Sequence, residues 1–232
     1  MSAPVVTVRG EATLEGSPDL ATLWVTVYAG GSSAERTRAA LATAAGRTQD
    51  LVREYEAAVE ESSTSGFQVA PVFDRRGEVK AGRFRGSFTS TVVVKDFEAL
   101  SPLVLALAQV PESEVSGPNW SLRRTNPIFA AVRLAAIDEA LRRADDYAAA
   151  FGTSVVDLLE VSDLEPGYPA PTMRSMAFMT KGAPEAAPEF DFEPAKQTVS
   201  AQVTVRCTLA PPDLAALRQG RPDSPGASAA TR

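Results

Sequence analysis

Hydrophobic and polar residues alternate with a period of two in several stretches of the chain, most cleanly near its two ends. Leu23, Val25 and Val27 alternate with Thr22, Trp24, Thr26 and Tyr28. Near the other end Val199, Ala201, Val203, Val205, Cys207 and Leu209 alternate with Ser200, Gln202, Thr204, Arg206 and Thr208. That period places one face of a strand on a core and the other in water. An earlier run begins at Val5, and Glu15-Gly16-Ser17-Pro18-Asp19 lies between it and the second. Pro18 fixes its own φ and Gly16 admits a positive one, so the spacing predicts a hairpin pairing the first two runs antiparallel. The last strand is expected at or near the centre of its sheet.

Between the strands the period changes to three and four. Leu41, Ala44, Thr48, Leu51, Tyr55 and Val59 form one stripe, opened by Gly30-Gly31-Ser32-Ser33 with Ser32 and Glu35 spaced as a capping box. Ala130, Leu134, Ile137, Leu141, Ala144, Ala148 and Phe151 form another, opened by Asn126-Pro127 and closed by Gly152, and are expected to face the core. Beyond a polar break at 62–66, Phe67, Val69 and Phe73 lead into the turn Asp74-Arg75-Arg76-Gly77 and a β-branched return strand, which predicts a hairpin. A short helix around Leu103, Val104 and Leu107, a strand over Val115–Arg124 weakened by Gly117-Pro118, and a strand over Val155–Val161 complete the set.

These elements predict an α+β fold, a mostly antiparallel sheet with long amphipathic helices packed on it, as one domain over residues 1–210. Residues 165–195 read as a long loop with prolines at 166, 169, 171, 184, 188 and 194. Residues 211–232, rich in Pro, Ala, Ser and Gly, read as a disordered tail.

Composition narrows the chemistry. The 232 residues are 44% hydrophobic and 22% charged, ordinary for a globular chain. A net charge of −6 opposes indiscriminate attraction to nucleic acid or anionic lipid. Histidine is absent, which removes the usual general base, the commonest metal ligand and the Ser-His and Cys-His nucleophile pairs. The single cysteine, Cys207, lies in an alternating apolar series and reads as a small core group. The beginning of the chain shows no signal-peptide pattern and no run reaches the length of a membrane span, so the expected location is cytoplasmic.

No catalytic residue, metal site or cofactor motif emerges. The strand, two glycines and helix start at Gly30-Gly31 have the elements of a phosphate cradle but lack the full pattern and a nearby lysine, so they read as a capped turn. Asp145 and Asp146 are consecutive on a helix and diverge by about 100°, so they cannot share a proton. Arg75, Arg76, Lys80, Arg83 and Arg85 gather near the hairpin tip, where charge guards a strand edge. In the long loop Met173, Met176, Phe178 and Met179 offer an adaptable apolar surface, read as a flap on the protein's own core, an intersubunit clasp or a binding lip. Arg83, Arg85, Arg174, Asp191 and Glu193 are the candidates for contact with a small ligand.

Taken in order, Val8-Arg9-Gly10-Glu11-Ala12, Ser17-Pro18-Asp19-Leu20-Ala21, Phe84-Arg85-Gly86, Val115-Ser116-Gly117, Trp120-Ser121-Leu122, Ala150-Phe151-Gly152, the Pro/Met loop and the closing strand resemble the SIMPL-domain family over residues 5–209. The resemblance implies an α+β domain with mostly antiparallel sheet. Bacterial relatives are largely secreted or envelope proteins, some forming ring-like or channel-like oligomers, and the animal namesake is a kinase-binding adaptor. No catalytic residues are established for the family. The expectation is a non-enzymatic homo-oligomer or partner-binding protein, the alternative a small-ligand binder or enzyme working around the long loop.

Overall fold

The computed structural model describes residues 3–73, 77, 79–164 and 191–212. Among the described residues seven strands and three helices follow one another as β1 (Val5–Gly16), β2 (Leu20–Gly31), α1 (Ala34–Glu54), β3 (Val59–Phe73), β4 (Val79–Val94), α2 (Leu100–Ala108), β5 (Ser113–Ser121), α3 (Ile128–Ala150), β6 (Val155–Leu164) and β7 (Gln197–Leu209). A 3-10 turn, Phe97–Ala99, leads into α2. The fold is α+β, with two antiparallel sheets ordered β1-β7-β6 and β3-β4-β2-β5. The expectation of a single sheet is corrected by this division, and so is the predicted hairpin of the first two runs. β1 pairs with β7, where Leu209 N–H donates to the Pro4 carbonyl at 2.8 Å, while β2 pairs with β4 and β5. Period two specifies a buried face but not the partner strand, and the short connection Ser17–Asp19 carries the chain from one sheet to the other instead of reversing it.

The elements form two compact units, one of β1, α3, β6 and β7 and the other of β2 to β5 with α1 and α2. In the first, β7 is central, as its alternation predicts, and Ala201, Val203, Val205 and Cys207 are buried with Val8 against Val132, Ala136, Ala140, Ala144 and Ala148 of α3. The stripe expected on α3 is therefore displaced. Ala144 and Ala148 are buried as expected and Ile137 partly so, but Leu134 is 61% exposed, and Ala130, Leu141 and Phe151 also face water. The cause is a close approach at Gly10: a Cβ there would stand 2.5 Å from the Ala140 amide nitrogen and closer still to the Ala136 carbonyl oxygen. Only alanine-sized side chains let the helix lie so near the strand. Asn126 Oδ1 accepts from Ile128 N–H at 2.9 Å at its start, and Gly152, at φ 61°, follows its end. On α3 Arg142 pairs with Glu139 and Asp146, and Arg143 donates to the Arg9 carbonyl.

In the second unit Ala21, Leu23 and Val25 of β2 and Val92 and Val94 of β4 pack with Val52 of α1 and Leu100, Leu103 and Leu107 of α2. Each large side chain so buried stabilises the fold by about 1.5 to 3 kcal/mol before entropy is deducted. The cap of α1 is Ser33, one residue after the predicted one, with its hydroxyl accepting from Arg36 N–H at 3.2 Å. Thr37, Leu41, Ala45, Thr48 and Val52 are buried along it, and Val59, expected on the helix, opens β3 instead. The polar stretch 62–66 is thus a segment of edge strand, paired with β4 except where the register shifts between Thr64 and Gly66. β5 is an edge strand whose register slips between Thr22 and Trp24, beside Gly117-Pro118, as those residues predict.

Candidate interaction surface

Strand β6 reads VVDLLEVSDL. Its register against β7 sets Leu158 opposite Cys207 and Val161 opposite Val205, so both stand on the sheet face whose β7 residues are buried. Yet Leu158 is 60% exposed and Val161 51%, because α3 packs chiefly on β1 and leaves the β6 flank uncovered. The ladder shifts between Val155 and Leu158 and again between Leu158 and Glu160, and Val156 and Leu159 are more than half exposed or nearly so as well. Four large apolar side chains thus line one strand at the end of its sheet, hydrogen-bonded on one side only among the described residues. Large apolar side chains are ordinarily buried, and four of them exposed along one strand make β6 a candidate interaction site.

The opposite face of this sheet is polar. An open depression of about 450 Å³ is lined there by Val5 and Thr7 of β1, Thr204 and Arg206 of β7, and Glu160 and Ser162 of β6. Its carboxylate and guanidinium stand 3.9 Å apart and partner each other. Another open depression, about 410 Å³, lies between α1 and α2, where Arg47, Asp50 and Glu54 meet Gln109, Val110 and Pro111. Among the described residues no group of three or more Cys, Asp and Glu residues is placed to hold a metal ion, and no helix is long and apolar enough to cross a membrane.

Among the described residues three side chains have shifted proton affinity. Burial, with a smaller contribution from the nearby Asp145 charge, pushes the Cys207 thiol up, so the thiol form is favoured, in keeping with a core role. Hydrogen bonding of Tyr28 Oη to the Glu114 carboxylate, at 2.7 Å, raises the phenol, with smaller contributions from desolvation and the Glu114 charge. Glu139 bonding, then the charges of Glu139 and Asp146, raises Arg142, which stays a cation.

The family model SIMPL, described as a protein of unknown function (DUF541), matches residues 6–207. The chain belongs to the SIMPL family. No curated protein matches it. Among solved structures, the crystal structure of an unknown protein from Galdieria sulphuraria is 12% identical over 86% of this chain and 90% of that one, with a TM-score of 0.23. Backbones that differ so much carry no functional argument.

Of the residues predicted from sequence to meet a ligand, four lie among the described residues of this SIMPL chain. Arg83 and Arg85 are exposed at the Gly30-Gly31 end of β4. Asp191 and Glu193 are exposed on either side of Phe192, which is partly buried against the core of the second unit. None of the four lines either depression. Arg174, Met173, Met176, Phe178 and Met179 lie outside the described residues, as do 165–190 of the predicted loop and 213–232 of the predicted tail. The composition of Val155–Val161 predicts the strand β6 but not its exposure. The available signal was the Leu158-Leu159 doublet, which puts apolar residues on both faces of one strand.

Proposed function

We propose that this SIMPL protein acts without catalysis, by assembling with further copies of itself, and that the β6 edge is the contact. The observation that carries this reading is the row Val156, Leu158, Leu159 and Val161, each half exposed or more on a terminal strand. A second copy adding its own β6 would pair the free backbone groups and bury these side chains together. Asp157, Glu160 and Asp163 interrupt the row and restrict the registers in which two such strands meet, since like charges directly opposite are destabilising. Another protein with a complementary strand edge would satisfy the same chemistry, but self-pairing needs only the chain itself.

The test is light scattering coupled to size exclusion over a range of concentrations, with native mass spectrometry for stoichiometry. The wild-type chain is expected as an oligomer, and Leu158→Lys and Val161→Lys as monomers. Both substitutions are on the surface, so each should change stability by no more than about 0.5 kcal/mol. A wild-type chain that stays monomeric throughout, or oligomers indifferent to both lysines, refutes the proposal.

A further inference from the structure

The hairpin of β3 and β4 outruns the rest of its sheet. Register sets Gly31, the last residue of β2, opposite Phe84, whereas β3 and β4 stay paired as far as Phe73 and Val79. Beyond Phe84 the hairpin is a two-stranded ribbon, with no third strand beside it among the described residues. Register also pairs Phe67 with Phe88 and Pro71 with Phe84, on the face turned towards α1. Phe67 is 59% exposed and Phe73 56%, the two most exposed aromatic side chains among the described residues. The charges around them are of one sign. Lys80, Arg83 and Arg85 of β4 and Arg36 and Arg38 at the start of α1 are exposed, and Glu35 is the one acid in residues 29–38, 66–73 and 80–88. Arg36 bonds the Ser32 hydroxyl, and the other four cations have no carboxylate partner among the described residues. This basic end belongs to a chain whose net charge is −6.

From this concentration of unpaired cations around exposed phenylalanines we infer a docking site for an anionic membrane surface, formed by the part of the hairpin that projects past β2. A two-stranded ribbon is marginal in water by itself, and a phenyl ring has no polar atom to favour its exposure. The boundary between lipid headgroups and acyl chains takes up such rings, while the cations beside them meet lipid phosphate. The placement of rings and charges selects this partner over nucleic acid. Arg83 and Arg85 flank Phe84 in sequence and so stand on the opposite face of the ribbon from Phe84, Pro71 and Phe67. Bases stacked on those rings would need cations tracking their backbone on the same side. A bilayer surface imposes no such condition, because it offers phosphate all round the part that enters it. The contact is peripheral and uses no residue of β6, so it stands apart from the assembly proposed above.

Flotation of the full chain with vesicles of phosphatidylcholine alone, and of phosphatidylcholine with about one third phosphatidylglycerol, tests the inference. Binding to the anionic vesicles only is expected, and it should weaken as salt rises. Arg83→Gln and Arg85→Gln should each lower the affinity about fivefold, the worth of one basic residue beside a charged bilayer. Phe67→Thr and Phe73→Thr should each lower it about tenfold and leave the salt dependence as it was. Threonine suits a strand, and unchanged thermal unfolding of the four variants separates a lost contact from a lost fold. No flotation with either vesicle, equal binding to the neutral one, indifference to both arginine variants, or preference for single-stranded DNA over anionic vesicles overturns it.

Discussion

Replacing Gly10 by alanine tests the packing on which the first unit depends. The added Cβ would stand 2.5 Å from the Ala140 amide nitrogen and 2.8 Å from the Ala140 Cβ, and nearer still to the Ala136 carbonyl oxygen. Carbon and its neighbours normally rest about 3.5 to 4.0 Å apart. Helix α3 would therefore have to lift by about 1 Å or more, loosening Val132, Ala136, Ala140 and Ala144 from the sheet together. Overpacking in a core ordinarily costs about 1 to 3 kcal/mol, and here the obstacle is backbone that cannot rotate aside, which puts the expected loss at about 3 kcal/mol. For a chain of this size that corresponds to roughly 6 to 12 °C in melting temperature. The assay is thermal unfolding followed by circular dichroism, with the double variant Gly10→Ala, Ala140→Gly alongside. Removing the Ala140 methyl clears one contact but leaves the two backbone ones, and glycine within a helix costs about 1 kcal/mol more, so the double variant should melt no higher than the single. A Gly10→Ala protein melting within about 1 °C of wild type, or full recovery in the double variant, would refute this account of why α3 buries alanines.

Cys207 is buried and its thiol is held above the usual range, so it should react with a disulfide reagent far more slowly in the native protein than in denaturant; equal rates would place it at the surface. Tyr28 has its phenol raised by the bond to Glu114. A group whose folded pKa lies above its unfolded value contributes stability that is complete below the unfolded value, 10.0 for the reference phenol, and is lost as pH rises through the folded one. The stability difference between wild type and Tyr28→Phe, measured by urea unfolding, should accordingly be constant at neutral and mildly alkaline pH and shrink above it; an unchanged difference through strongly alkaline pH contradicts the bond.

Local order was legible in the chain because it depends on near neighbours. The alternation at Leu23–Val27 and Val199–Leu209 specifies strands with one buried face, Asn126 and Gly152 bracket α3, and Gly117-Pro118 marks an edge strand with a slipped register. The want of histidine and the alternation around Cys207 were legible in the same way, and the ordered string of short motifs carried the family. What the sequence left open was pairing between distant segments. Val5–Gly16 alternates equally well beside β2 or β7, and only the three-dimensional arrangement assigned it to β7. Nor does a helical stripe state which side touches a sheet: Leu134 and Leu141 outweigh Ala136 and Ala140 in hydrophobicity, but the approach at Gly10 admits only the alanines. The same contact explains the candidate surface, since a helix seated over β1 cannot also cover β6, and apolar residues that one sequence would bury are left facing water. Periodicity is a property of one segment, whereas exposure belongs to whichever segment folding lays beside it.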